Sequence, residues 1–268
     1  MNHKQVFYLL ALFLLSGVLY AQDAQQTKYP FNQLRVSVTP SLCSSLEIAH
    51  AGGANIFKSN PTLGAEATIS YYQRIVKQFG VSLGFGINFT ANSYHFSFVR
   101  NIDHSSPIHQ QEEMNRVYEP TGMVTIPLAF SMIIPIKSSS WNIDVQVGAK
   151  FNYLYEGHSI SFCSSWEDSP TLGLQTDEYI KEKSYGWIEE NCDQRNIFSY
   201  FVKAGATYTT KRNNGFFFNI IANYSPQKIL TGTYLFRAID GDSYGSFKKN
   251  MNYLGLEVGY ALTLCKKR

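Results

Sequence analysis

The chain has 268 residues, enough for one large β domain, and no Pro- or Ser-rich linker divides it. Charged residues make up 16%, against roughly 25% in ordinary soluble domains, while 18 Tyr and 19 Phe supply abundant aromatic surface. So few charges exclude a surface coated throughout by water, and a net charge of +3 gives no basic footprint for nucleic acid.

Lys4 precedes an apolar run from Val6 to Leu15, and Ser16-Gly17 leads to the small residue Ala21. This arrangement predicts a signal peptide over residues 1–21. The run is too short for a membrane-spanning helix, and no later stretch reaches 18 apolar residues. Residues 22–32 read as a polar leader and residues 33–268 as one exported domain.

Leu34, Val36 and Val38 alternate with Arg35, Ser37 and Thr39, which predicts a first strand. Ala65, Ala67, Ile69 and Tyr71 mark a second; Val81, Leu83, Phe85, Ile87 and Phe89 mark a third. Strands four and five form the clearest hairpin. The row Val124, Ile126, Leu128, Phe130, Met132, Ile134, Ile136 is followed, after Lys137-Ser138-Ser139-Ser140, by Trp141, Ile143, Val145, Val147, Ala149, Phe151, Tyr153, Tyr155. Phe198 to Tyr208 and Phe216 to Tyr224 give strands six and seven around a tight turn assigned to Asn214-Gly215. Leu254 to Leu264 closes the set.

The connections alternate long and short, so in an up-and-down sheet the long ones gather at one end, as in outer-membrane barrels with short periplasmic turns. The expected fold is therefore all-β: an eight-stranded antiparallel up-and-down transmembrane β-barrel with four long outer loops. A soluble lipocalin-like barrel has the same alternation with its apolar row inward. Charge density favours the membrane reading, because the polar rows carry only Arg35, Glu66, Arg74, Asp144, Lys150, Lys203 and Glu257 among small polar residues. Tyr71, Trp141, Tyr153, Tyr155, Tyr208 and Tyr224 lie near strand ends, where headgroup-level aromatics belong.

The chain resembles the small outer-membrane barrels of Bacteroidetes known as the porin-family or PorT-like barrel domain. The carrying residues are Tyr20-Ala21-Gln22, Thr125-Ile126-Pro127-Leu128 and Leu254-Gly255-Leu256-Glu257-Val258-Gly259-Tyr260. The resemblance implies outer-membrane lipids and the barrel assembly machinery as partners, together with service to an export or adhesion system. Such barrels commonly end on an aromatic residue, whereas this sequence closes Leu264-Cys265-Lys266-Lys267-Arg268; Tyr260 is the candidate substitute.

The seven polar-row charges are expected to form a lumen network, with Arg35 paired to Glu66 or Glu257 on the strands flanking its own. No continuous pore is expected through eight strands. Cys163 and Cys192 bracket the longest loop, and a disulfide there would contribute about 3.5 kcal/mol. That loop is acidic, with Glu156, Glu167, Asp168, Asp177, Glu178, Glu182, Glu189, Glu190 and Asp193, and it carries Trp166 and Trp187. It reads as a solvated loop, with a cation or a sugar as the sharper alternative. Asp240-Gly241-Asp242 has part of a calcium-loop pattern without the remaining ligands. His95 and His158, with Ser93, Ser97, Ser159 and Ser161 nearby, would suit a lipid-modifying barrel enzyme, but no nucleophile elbow accompanies them. The reading favoured is a non-enzymatic envelope structural or surface-binding protein with no catalytic residues, cofactor or metal, meeting an envelope protein or glycan through its outer loops.

Overall fold

The computed structural model describes residues 32–53, 55–76, 78–101, 109–117, 121–136, 139–155, 161–164, 186–192, 194–211, 213–238 and 241–264. The signal segment, the leader up to residue 31 and Cys265 lie outside them; Asn32 already belongs to the first strand. In chain order the strands are β1 (Asn32–Cys43), β2 (Glu47–Gly52), β3 (Phe57–Lys58), β4 (Thr62–Val76), β5 (Phe79–Thr90), β6 (Ser93–Asn101), β7 (His109–Val117) and β8 (Thr121–Pro135). They continue as β9 (Trp141–Leu154), β10 (Ser161–Ser164), β11 (Gly186–Asn191), β12 (Asn196–Thr209), β13 (Gly215–Tyr224), β14 (Lys228–Ala238), β15 (Gly241–Asn250) and β16 (Tyr253–Thr263).

Eight of these strands close a barrel in the order β1-β16-β13-β12-β9-β8-β5-β4, with β1 pairing antiparallel to both β16 and β4. Barrel strands linked by short turns alternate with excursions of two further strands each, all leaving the same end. The excursions assemble into a five-stranded sheet, β10-β11-β14-β15-β2, and a three-stranded sheet, β3-β6-β7. Each of the four long outer connections, expected as loops, thus contributes two strands among the described residues.

Side chains on the wall follow period two. On β1, Gln33, Arg35, Ser37, Thr39, Ser41 and Cys43 are buried inside while Val36 and Val38 are more than half exposed outside. The same sorting exposes Leu83, Phe85, Leu128, Ile220, Leu254 and Leu256 around the circumference. A soluble barrel with its apolar row inward is thereby overturned.

The turn between β12 and β13 differs in detail from the expected Asn-Gly hairpin. Asn213 takes the positive φ of 64°, and Gly215 is already the first residue of β13. The Asn213 amide donates to the Thr210 carbonyl and the Thr210 amide to the Asn214 carbonyl, which places Asn213, a residue type that tolerates the left-handed region, inside the turn.

Candidate functional site

The lumen is filled by ionisable side chains arranged in three tiers. Near the short-turn end, Arg35 Nη1 on β1 donates to Asp144 Oδ2 on β9 at 3.2 Å, and Gln146 Nε2 donates to the same oxygen at 3.1 Å. At mid-height, Lys203 Nζ on β12 meets Glu257 Oε1 on β16 at 2.5 Å, and Asn219 Nδ2 and Ser37 Oγ also donate to this carboxylate. Toward the long-connection end, Lys150 Nζ on β9 contacts both oxygens of Glu66 on β4 at 2.7 and 2.6 Å and donates to the Tyr253 hydroxyl at 2.7 Å. Tyr253 Oη in turn donates to Glu66 Oε2 at 2.6 Å.

Each of these three cations thus has a carboxylate, which offsets the heavy cost of removing a charge from water. Aromatic rings complete the shells. The Arg35 guanidinium lies 4.3 Å from the Tyr72 ring centroid and 5.7 Å from that of Phe217, while Lys150 and Lys203 lie 5.1 and 5.2 Å from that of Phe201. Glycines make room for these rings: a Cβ on Gly148 would sit 2.6 Å from the Phe201 ring, and one on Gly259 would sit 2.2 Å from Phe217. A lumen cavity lined by Arg35, Gln146, Lys203 and Glu257 has a volume of about 20 Å³, room for about one water.

Six of the seven expected lumen charges therefore meet in pairs. The partners differ from those expected for Arg35. Neighbouring strands offered it Glu66 and Glu257, but each of these is engaged by a lysine, and Asp144 reaches Arg35 across the narrow interior. Arg74 lies half-buried on the inward row of β4, past Tyr72 toward the short-turn end, outside the three tiers.

Above the lumen the two outer sheets close on an aromatic core. Phe57 on β3 packs against Tyr94 on β6, Tyr234 and Phe236 on β14 and Phe247 on β15, with ring centroids 4.6 to 6.0 Å apart. Phe96 and Phe236 add a contact at 4.5 Å. This core runs on through Met123, Leu154, Ile197, Ile221 and Met251 at the barrel mouth, so the outer end carries an apolar cap. The cap was missed at the level of sequence, although Leu230, Gly232, Tyr234 and Phe236 alternate with Thr231, Thr233 and Leu235 much as the wall strands do.

Two charges lie inside the cap. Lys249 on β15 is almost fully buried and donates to the Ala91 carbonyl, which also accepts from Thr62 Oγ1 at 2.5 Å. Burial pulls its ammonium down to about 8, against the opposing influence of Cys43 and Glu190. Glu190, expected in a solvated acidic loop, is 4% exposed on β11, and burial pushes its carboxyl up.

The β10–β11 register sets Cys163 opposite Trp187, five positions along the strand from Cys192. At about 3.4 Å per residue that is roughly 17 Å, whereas disulfides join Cα atoms about 4.4–6.8 Å apart. The expected Cys163–Cys192 bridge does not fit this register. Cys43 sits buried at the long-connection end of β1, opposite Thr62 and Tyr253. His95 lies on β6 opposite Asn115, while His158, Ser159, Trp166, Asp240 and the acidic residues between 156 and 185 fall outside the described residues. Among the described residues no group of three or more His, Cys, Asp or Glu could hold a metal ion.

No family model matches the chain, and no curated protein matches its sequence. Among solved structures it is similar to the outer membrane protein OprG from Pseudomonas aeruginosa, at 9% identity over 89% of this chain and 99% of that one, with a TM-score of 0.44. A major outer membrane protein from Thermus thermophilus is 14% identical over 86% of this chain and 98% of its own, with a TM-score of 0.39. The outer membrane protein W of E. coli is 12% identical over 88% of this chain and 100% of its own, with a TM-score of 0.31.

Proposed function

We propose that the protein is a non-enzymatic outer-membrane β-barrel that presents a rigid outer cap for surface binding and passes no bulk solute. One observation carries this reading: a continuous exposed apolar wall surrounds an interior whose charges neutralise one another and whose outer mouth lies under an aromatic core. Water outside such a wall would leave several hundred Å² of contiguous apolar surface unburied, and lipid removes that cost. Membership of the PorT-like barrels of Bacteroidetes is part of the same proposal, supported by the segments around Pro127 and Gly255.

The cap supports a binding role because it takes up half of the described strands, while the eight wall strands close their own hydrogen-bonded ring. Planar-bilayer recording with the purified protein tests the closed lumen. No steps of general-porin size are expected; such steps in the intact protein would overturn the reading. Labelling of Lys248 on whole cells by a membrane-impermeant amine reagent tests the outward cap, and protection of that residue would count against it.

A further inference from the structure

The face of the five-stranded sheet turned away from the aromatic core holds a groove of about 710 Å³, within the roughly 300–1,000 Å³ of small-molecule sites. The strand registers place two polar rows on its floor. One runs Ala49–Ser246–Thr233–Glu189 across β2, β15, β14 and β11. The next, two residues nearer the barrel, runs Glu47–Lys248–Thr231–Asn191. Ala49 and Ser246 are short, and the longer side chains of Glu47, Lys248, Glu189 and Lys228 stand around them, which makes the floor concave. Beyond the first row, away from the barrel, Trp187, Leu235 and Tyr244 form an adjoining apolar row. Tyr244 is 46% exposed, and its ring lies over Gly52, where a Cβ would come within 2.7 Å.

We propose that this groove binds an uncharged oligosaccharide of two or three sugar units, an inference that rests on the surface-binding reading above. The lining carries two carboxylates and two ammonium groups, and Lys248 Nζ already lies 2.9 Å from Glu47, so the groove presents no net field for a polyanion or polycation. Its hydroxyls and its amide both donate and accept, as sugar hydroxyls do. In the apolar row beside them, the half-exposed Tyr244 ring offers a surface for the C–H face of a pyranose. A protein strand is the poorer occupant, because three of the four strands under the groove, β11, β14 and β15, have neighbours on both edges, and only β2 at its margin ends the sheet.

The test uses the full chain in nanodiscs, titrated calorimetrically with triacetylchitotriose, maltotriose and mannotriose and with a sulfated trisaccharide. Saturable binding of at least one uncharged trisaccharide is expected, unchanged up to about 0.5 M salt because no ion pair forms. Ser246→Arg, which fills the depression, and Tyr244→Ala, which removes the ring, should each weaken it about tenfold, with Lys58→Ala as an unaffected control. Heat-modifiable gel migration verifies that each variant is folded. Binding confined to the sulfated sugar, binding indifferent to both groove variants, or no binding at all would overturn the inference. In each of these cases whole-cell labelling of the cap judges the surface-binding reading separately.

Discussion

At the scale of the residue, Asp144 offers the sharpest test, because it is wholly buried and faces a guanidinium held between two rings. Asp144→Ala leaves Arg35 charged without its carboxylate and is expected to cost about 3–5 kcal/mol in urea unfolding from lipid vesicles. The double change Arg35→Met with Asp144→Leu removes both charges and should recover most of that loss. Equal losses in the single and double variants would mean that packing, not charge, governs this tier. Lys249 gives a pH signature outside the membrane. Folded protein sheds this proton at about 8, whereas the unfolded chain keeps it up to 10.5, so between these values the unfolded state binds more protons. Stability should therefore rise as pH climbs from 8 to 10.5 and lie lowest below 8. The rise should vanish in Lys249→Met, a comparison made by denaturation midpoints at about pH 7.5 and 10.

At the scale of the element, the cap depends on Phe57, a completely buried ring supplied by a strand of two residues. Phe57→Ala is expected to loosen the cap by about 3–5 kcal/mol, seen as faster amide exchange in β14 and β15, while heat-modifiable migration of the barrel persists. All eight wall strands were legible in the sequence, since each crosses from one solvent boundary to the other and its two faces meet opposite environments. Even Pro127, an awkward residue in a barrel without edges, lies where the β5–β8 pairing omits Gly84 and Phe85. The cap strands were not legible. Their core is shared between two sheets drawn from all four outer connections, so Phe57 packs against Tyr234, Phe236 and Phe247 from a distant part of the sequence. The lumen charges were visible as residues, but their pairing was not: Arg35 and Asp144 are 109 positions apart, and a narrow interior lets a long side chain reach past its neighbours.

At the scale of the whole molecule, surfaces divide by solvent: acyl chains around the wall, water around the cap, and paired side chains filling the lumen. A charge placed on the wall should be costly in proportion to its depth. Leu256→Arg, in mid-strand and 60% exposed, is expected to destabilise by about 2–4 kcal/mol in bilayers, and Leu262→Arg nearer the rim by about 0–1 kcal/mol. Accessibility of nitroxide labels to lipid-soluble oxygen and to a water-soluble nickel chelate, read site by site in a cysteine-free background, tests this division most directly. Labels at Leu83, Leu128 and Leu256 should be relaxed by oxygen and shielded from nickel, whereas one at Thr233 should show the reverse. Nickel access at the three wall positions, equal to that at Thr233, would contradict a lipid-facing barrel.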